Sequence, residues 1–371
     1  MIPLKFTCNR QKLNEAVTNV QRAVSSKSTM PALEGILLKA ENHQIFLCGY
    51  DLEIGITTFV DADITEPGTV VINARLFSDI IKRMPEDKIT IETNEKLLVY
   101  LASGKVDYKI MGMAAEEYPE LPTVIGSESI DIDGEALSSM IRQTKYAIAD
   151  NDMKPTHKGS LFEIADNSIK VISVDGYRLA IRTETIAYQG EKSFIMPGKS
   201  LSEITKLITE ETDTITMTVG GRHIIFRIGN YSIITRLIEG EFMNYRAAIP
   251  KQHVTELSVN TRKFISSIER MSLLLTEKLK SPIRCRIENG LVKTSCNTSL
   301  GQAYDEFEAD ISGEDVEIGF DDKFMLDALR YSETDKVSIE INGPLSPIVL
   351  KPAEGDSFLF LVLPVRLKNA N

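Results

Sequence analysis

Three stretches of this 371-residue chain repeat one another at a constant spacing, and that period constrains the fold more than any other feature. They are Ile72–Arg83, Met196–Leu207 and Phe320–Tyr331. A base stands at Arg75, Lys199 and Lys323, each 124 positions from the last. An apolar residue follows at Phe77, Leu201 and Met325, an acid at Asp79, Glu203 and Asp327, then Ile80, Ile204 and Ala328. A second base closes each copy at Lys82, Lys206 and Arg330. Strand-like tails follow in register through Ile91, Ile215 and Ile339. A period this long is a whole domain and not a solenoid unit. The spacing therefore predicts one domain written three times, with boundaries at residues 1–126, 127–253 and 254–371.

Each repeat also carries an earlier, less regular helix. Phe6–Leu13, Ile130–Leu137 and Leu257–Phe264 each alternate apolar residues, as a strand does, and then turn to helical spacing. Asn9, Asp133 and Asn260 stand where an N-cap accepts the first free amides. Period-2 strands surround the helices, among them Ile45–Cys48, Ile169–Val174 and Leu291–Thr294 after the Asn289-Gly290 turn. Pro119–Pro122 with Gly126, and Pro250–His253, read as linkers. The fold class is α+β, with two helices packed on antiparallel sheets in each of three domains.

Charge is unevenly placed. The helix windows 9–24, 74–84, 135–149, 197–209, 261–276 and 321–331 carry a net +7. The remaining residues carry −18, for a total of −11. One reading is that helices favour Lys and Arg, whose side chains form solvated faces. The other is that the helices line one surface for a polyanion, contacted through phosphates and not read by base.

Catalytic motifs are weak. Pro197-Gly198-Lys199-Ser200 has Ser193 where a phosphate loop needs its first glycine, and its repeats Arg75 and Lys323 have no glycine beside them. The histidines His43, His157, His223 and His253 are scattered, with no HExxH. Cys8, Cys48, Cys285 and Cys296 form no CxxC pair and read as reduced thiols. The expectation is a protein without catalytic residues, metal or cofactor. The N-terminus has no secretory pattern and no run reaches a membrane span, so a cytoplasmic protein with no membrane partner is expected.

Two stretches break the threefold pattern. Val174-Asp175-Gly176-Tyr177-Arg178-Leu179 ends a strand in the middle repeat, where the third repeat has Asn297–Gly301. The C-terminal run Phe358–Leu367 reads as a buried strand ended by Pro364, which cannot donate to a ladder. Val365-Arg366-Leu367 would then be an apolar flank suited to a short peptide.

With these motifs the chain resembles the bacterial sliding clamps, the beta subunits of DNA polymerase III. The resemblance rests on the triple repeat, the D-G-x-R-L element at 175–179, G-x-F-x-x-Y-R at Gly240–Arg246 and L-P-V-R at 363–366. It covers essentially the whole chain. It implies helices inside, sheets outside, and two chains closing head to tail into a six-domain ring around duplex DNA, without sequence preference. It implies no catalysis. It implies a cleft for motifs of the polymerase III alpha subunit, other polymerases, the clamp loader and repair proteins. Carried over by position, that cleft is Val174, Gly176, Tyr177, Arg178 and Leu179, with Met243, Ala247, Ala248, Leu361, Leu363, Pro364, Val365 and Arg366. Arg178 and Arg366 would bond polar atoms of the motif. His157 stands at the rim where leucine is common, Met243 where proline is, and Ala247 where an arginine can stand.

The resemblance also places the dimer contact at Leu273 and Leu274 against Tyr108 and Ile110, residues that could otherwise belong to ordinary cores. DNA-facing bases would be Arg10, Lys12, Arg22, Lys27, Lys82, Arg83, Arg142, Lys145, Lys199, Lys206, Arg262 and Lys263. The rivals are an enzyme with its site between repeats, and an acidic interaction scaffold that does not encircle DNA.

Overall fold

The computed structural model describes residues 3–124, 128–150, 154–276 and 278–367. The expected boundary at 126, the extreme N-terminus and the tail Lys368–Asn371 lie outside them. Among the described residues there are six α-helices: α1 (Arg10–Val20), α2 (Ala74–Arg83), α3 (Gly134–Lys145), α4 (Gly198–Leu207), α5 (Thr261–Ser272) and α6 (Asp322–Tyr331). They overlap the six expected windows, α3 starting one residue earlier, at Gly134. The starts of α1, α2, α5 and α6 are fixed by side chains that satisfy amides the helix leaves free. Asn9 Oδ1 accepts from the Lys12 amide at 3.0 Å, Asn73 from Leu76 at 3.1 Å and Asn260 from Lys263 at 3.0 Å. Asp321 accepts from Lys323 at 3.0 Å and Phe324 at 3.3 Å.

The chain divides into two compact units, Met1–Glu135 with Ser202–Leu237, and Ala136–Leu201 with Ile238–Asn371. In the first, an antiparallel path runs from the edge strand Val106–Met111 through Leu98–Ser103, Lys88–Thr93 and Lys5–Asn9 to the long strand Ile54–Glu66. It continues through Tyr231–Arg236, His223–Ile228 and Thr214–Val219 to Ser129–Asp133. A branch leaves the long strand through Gln44–Tyr50, which pairs with Gly35–Glu41, which in turn pairs with Gly68–Asn73. Alternation does the work expected of it. In Lys88–Thr93, Ile89, Ile91 and Thr93 are buried while Lys88 is exposed. On α2, Phe77, Ile80 and Ile81 form the buried stripe and Lys82 and Arg83 stay outside.

The second unit has a nine-stranded and a four-stranded sheet. In the larger one, Arg178–Thr185 pairs with Phe358–Val362, register Arg178 to Val362, Leu179 to Leu361 and Ala180 to Phe360. A strand of the middle repeat and the C-terminal strand are thus hydrogen-bonded neighbours, which is what assembles the candidate cleft. Phe358–Val362 is buried at four of five positions, as its continuous apolar run requires.

The four cysteines are buried free thiols, and burial pushes Cys8, Cys48 and Cys285 up to about 12. At such values the reactive thiolate is scarce. Among the described residues no helix is long and apolar enough to cross a membrane, and no group of His, Cys, Asp and Glu could hold a metal ion.

Candidate functional site

The turn after Val174 is built around one carboxylate. Asp175 Oδ1 accepts from the amides of Tyr177 at 2.9 Å and Arg178 at 3.0 Å, while Oδ2 receives Arg178 Nε at 2.8 Å. Gly176 sits at φ +89°, a conformation glycine adopts without strain, with open space where a Cβ would be. This turn ends one strand and leaves Tyr177 exposed, its ring stacked on Phe324 with centroids 5.6 Å apart.

The C-terminal segment meets the turn directly. The Leu363 amide donates to Tyr177 O at 2.9 Å, and the Val365 amide to Gly319 O at 2.8 Å. Pro364, which has no amide hydrogen, lies between these bonds. A strand partner on each side of a proline explains why the chain leaves the sheet there and crosses to Gly319. Leu363 and Val365 are each 37% exposed, so their apolar side chains face solvent beside the buried wall of Leu361. Val174, Leu179, Tyr245 and Leu361 share one apolar cluster, with Phe242 and Met243 packed on its edge. Tyr245 Oη donates to Glu163 at 2.6 Å, and Arg246 pairs with the same carboxylate at 2.6 Å. This pins the Gly240–Arg246 segment, and leaves Ala247 and Ala248 exposed beyond it. A Cβ at Gly319 would lie 2.5 Å from Val365 O, so valine there is expected to displace the segment and weaken peptide binding at least tenfold in fluorescence polarisation.

Two sequence expectations need correction. His157 is buried, close to the Phe242 ring, so it backs the surface and does not form its rim. Arg178 is not free to bond a motif. Its guanidinium lies over the rings of Tyr146 and Phe324, at 5.3 and 4.8 Å, and pairs with Asp175 and with Asp327 of α6. Burial opposes its charge, but the two carboxylates outweigh this and hold its pKa above the ordinary value. Phe324, Tyr146 and Asp327 join this surface through the fold. Of the three only Asp327 carries a sequence signal, as the acid that recurs in the threefold repeat, and nothing in the sequence joins it to a turn 149 residues away.

The first unit holds a second copy of the turn, shifted by 124 positions. Asp51 Oδ1 accepts from Glu53 at 3.0 Å and Ile54 at 2.8 Å, and Leu52 occupies the left-handed position at φ +75°. The Arg236 amide donates to Glu53 O at 2.8 Å, as Leu363 does to Tyr177. Here the apolar space is filled. Gly55 replaces Leu179, and Leu121, Ile234 and Tyr50 stand within 3.3 Å of where its Cβ would be. Tyr50 is buried where the other copy has Val174, and Tyr118 donates from Oη to Cys48 O at 3.1 Å.

Ten of the twelve candidate DNA-facing bases are exposed, while Arg10 and Arg22 are half-buried. Arg83 pairs with Asp79 at 2.9 Å, Lys206 with Glu203 at 2.8 Å and Arg142 with Glu333. The Arg83 and Arg142 pairs are solvent-exposed and hold their side chains only weakly, whereas Glu203 is buried beneath Lys206. Tyr108 is 39% and Leu273 80% exposed, so neither is an ordinary core residue. Ile110 and Leu274 are half-buried, Leu274 resting on the core of the second unit.

The arrangement is that of a repeated α+β protein whose half-exposed apolar surface lies where a strand ends. The chain matches the DNA polymerase III beta subunit over its N-terminal domain at residues 4–122, its central domain at 131–244 and its C-terminal domain at 246–366. It belongs to that family, and has its three clamp domains. The beta sliding clamp of Staphylococcus epidermidis is 32% identical, across 98% of this chain and 99% of that one. The structure of the DNA polymerase sliding clamp from Bacillus subtilis is 29% identical, covers 98% of this chain and 100% of that one, and superposes with a TM-score of 0.96. The Pseudomonas aeruginosa sliding clamp bound to griselimycin is 27% identical, with 98% and 100% coverage and a TM-score of 0.93.

Proposed function

We propose that this chain is a DNA sliding clamp, a non-catalytic processivity factor whose homodimer encircles duplex DNA and tethers a polymerase. The observation that carries the reading is the whole-length match to the beta subunit family in all three domains. The charge split supports it, since bases on helices of an acidic chain confine attraction for phosphate to the helix surface. Contacts without base reading allow sliding, and a closed ring prevents escape. Tethering raises the local concentration of an enzyme that would otherwise dissociate.

The edge strand Val106–Met111 supports head-to-tail closure. Val106, Tyr108 and Met111 leave an apolar edge exposed, which solitary proteins usually blunt. Lys105 and Lys109 beside it complement Glu306 and Glu308 at the edge strand Gly301–Glu308. The surface of Leu179, Tyr177, Met243, Leu363 and Val365 is proposed to receive clamp-binding peptides of polymerases, the clamp loader and repair proteins. The domains are proposed to run 1–126, 127–253 and 254–371.

The test is retention on circular against linear DNA. The protein is placed on a nicked circle by a clamp loader with ATP, then passed over a sizing column in high salt. Retention on the circle and loss once the circle is cut is the expected result. Equal loss from both would leave only an electrostatic binder and overturn the clamp reading.

A further inference from the structure

We propose that Asp327 is a positioning residue of the peptide surface, acting through Arg178 to hold the Asp175–Tyr177 turn in its binding shape. The inference rests on the reading of that surface as a peptide cleft. It starts from the acid that recurs in the threefold repeat. In the first copy Asp79 pairs with Arg83, four residues on in the same helix, and in the second Glu203 pairs with Lys206, three residues on. The third copy has the same opportunity, since Arg330 lies three residues after Asp327. Instead Arg330 pairs with Glu269 of α5 at 2.7 Å, and Asp327 reaches out of its helix to Arg178.

From Arg178 the connection runs to the surface in short steps. Arg178 binds the carboxylate of Asp175 that holds the Tyr177 amide. Tyr177 O in turn receives the Leu363 amide, and its ring lies on Phe324, three residues before Asp327 on α6. The guanidinium also lies over the rings of Tyr146 and Phe324, so the side chain is held by ring contacts as well as paired.

The first unit separates a folding role from a binding one. Its copy of the turn makes the same backbone hydrogen bonds with Ile54 in place of Arg178, so those bonds do not require an arginine at that position. That copy is also the one whose apolar space is filled by Tyr50 and Leu121. The brace is present where the surface is open and an isoleucine stands there where it is closed. A peptide anchor docking on an unsupported turn would have to order it on arrival, and that ordering is a cost to affinity.

The experiment measures a fluorescein-labelled clamp-binding peptide of the polymerase III alpha subunit, with a Leu–Phe anchor, by polarisation against the full-length dimer. Asp327→Asn, which removes the charge and keeps the shape, is expected to weaken binding about tenfold while the protein stays folded and sediments as the parent does. Asp327→Glu, which keeps the charge, is expected to bind within about threefold of the parent protein. Arg178→Gln is expected to weaken binding as well, and the double variant to bind no worse than Arg178→Gln alone, as residues acting in series must. Parent-like binding by Asp327→Asn, or losses that add in the double variant, would overturn the proposal. Failure of the parent protein itself to bind the peptide would instead overturn the cleft reading on which this rests.

Discussion

Removal of Leu363–Leu367 is expected to abolish binding of a clamp-binding peptide while the dimer remains intact. The segment supplies the apolar flanks Leu363 and Val365, and its Leu363 amide closes the turn at Tyr177. Each anchor side chain that loses a burial site gives up about 1.5–3 kcal/mol, roughly ten- to hundredfold in affinity. Two anchors together take a micromolar interaction beyond the reach of a polarisation assay. The preceding strand Phe358–Val362 keeps its ladder with Arg178–Thr185, so the core retains its register. Unchanged peptide affinity in the truncated protein would remove the C-terminal segment from the site.

The second large effect concerns closure of the proposed ring. Leu273→Asp is expected to convert the dimer to a monomer and to abolish retention on circular DNA. Leu273 is the most exposed large apolar side chain described, so the substitution spares the monomer's core. A head-to-tail dimer has two equivalent interfaces, and each loses one buried leucine and gains a charge to desolvate. The apolar loss alone is about 3–6 kcal/mol over the ring, a rise in dissociation constant of some hundred- to ten-thousandfold. Sedimentation velocity reads this directly. A variant that sediments as the parent dimer would exclude Leu273 from the contact.

Much of the fold is legible in the amino-acid order because it depends on near neighbours. The helices follow from apolar residues three and four apart, and Asn9 and Asn260 cap them through bonds that reach only three residues. The Asn289-Gly290 turn follows from two residues that tolerate positive φ, 53° and 74° here. The candidate cleft is legible where it breaks the repeat, at Asp175–Leu179 and at Pro364. What holds it is not. Arg178 meets Asp327, Phe324 and Tyr146 only because strand register and helix packing bring distant segments together, and no local spacing records that meeting. The burial of His157 and the filling of the first turn by Tyr50 are of the same kind. Each depends on which large side chain wins a shared volume.

That filled turn bears on how a clamp would be shared. Two of the three repeats carry the docking turn, but in one the seat is already taken by the chain's own Tyr50 and Leu121. The proposed ring would therefore offer two berths for its six domains, one on each chain. A polymerase and a repair protein could ride together only by taking one berth each, and a third would have to queue. The order in which partners work on DNA would then be set by residence time at a scarce place, and scarcity would be written into the protein by a tyrosine far from either berth in sequence.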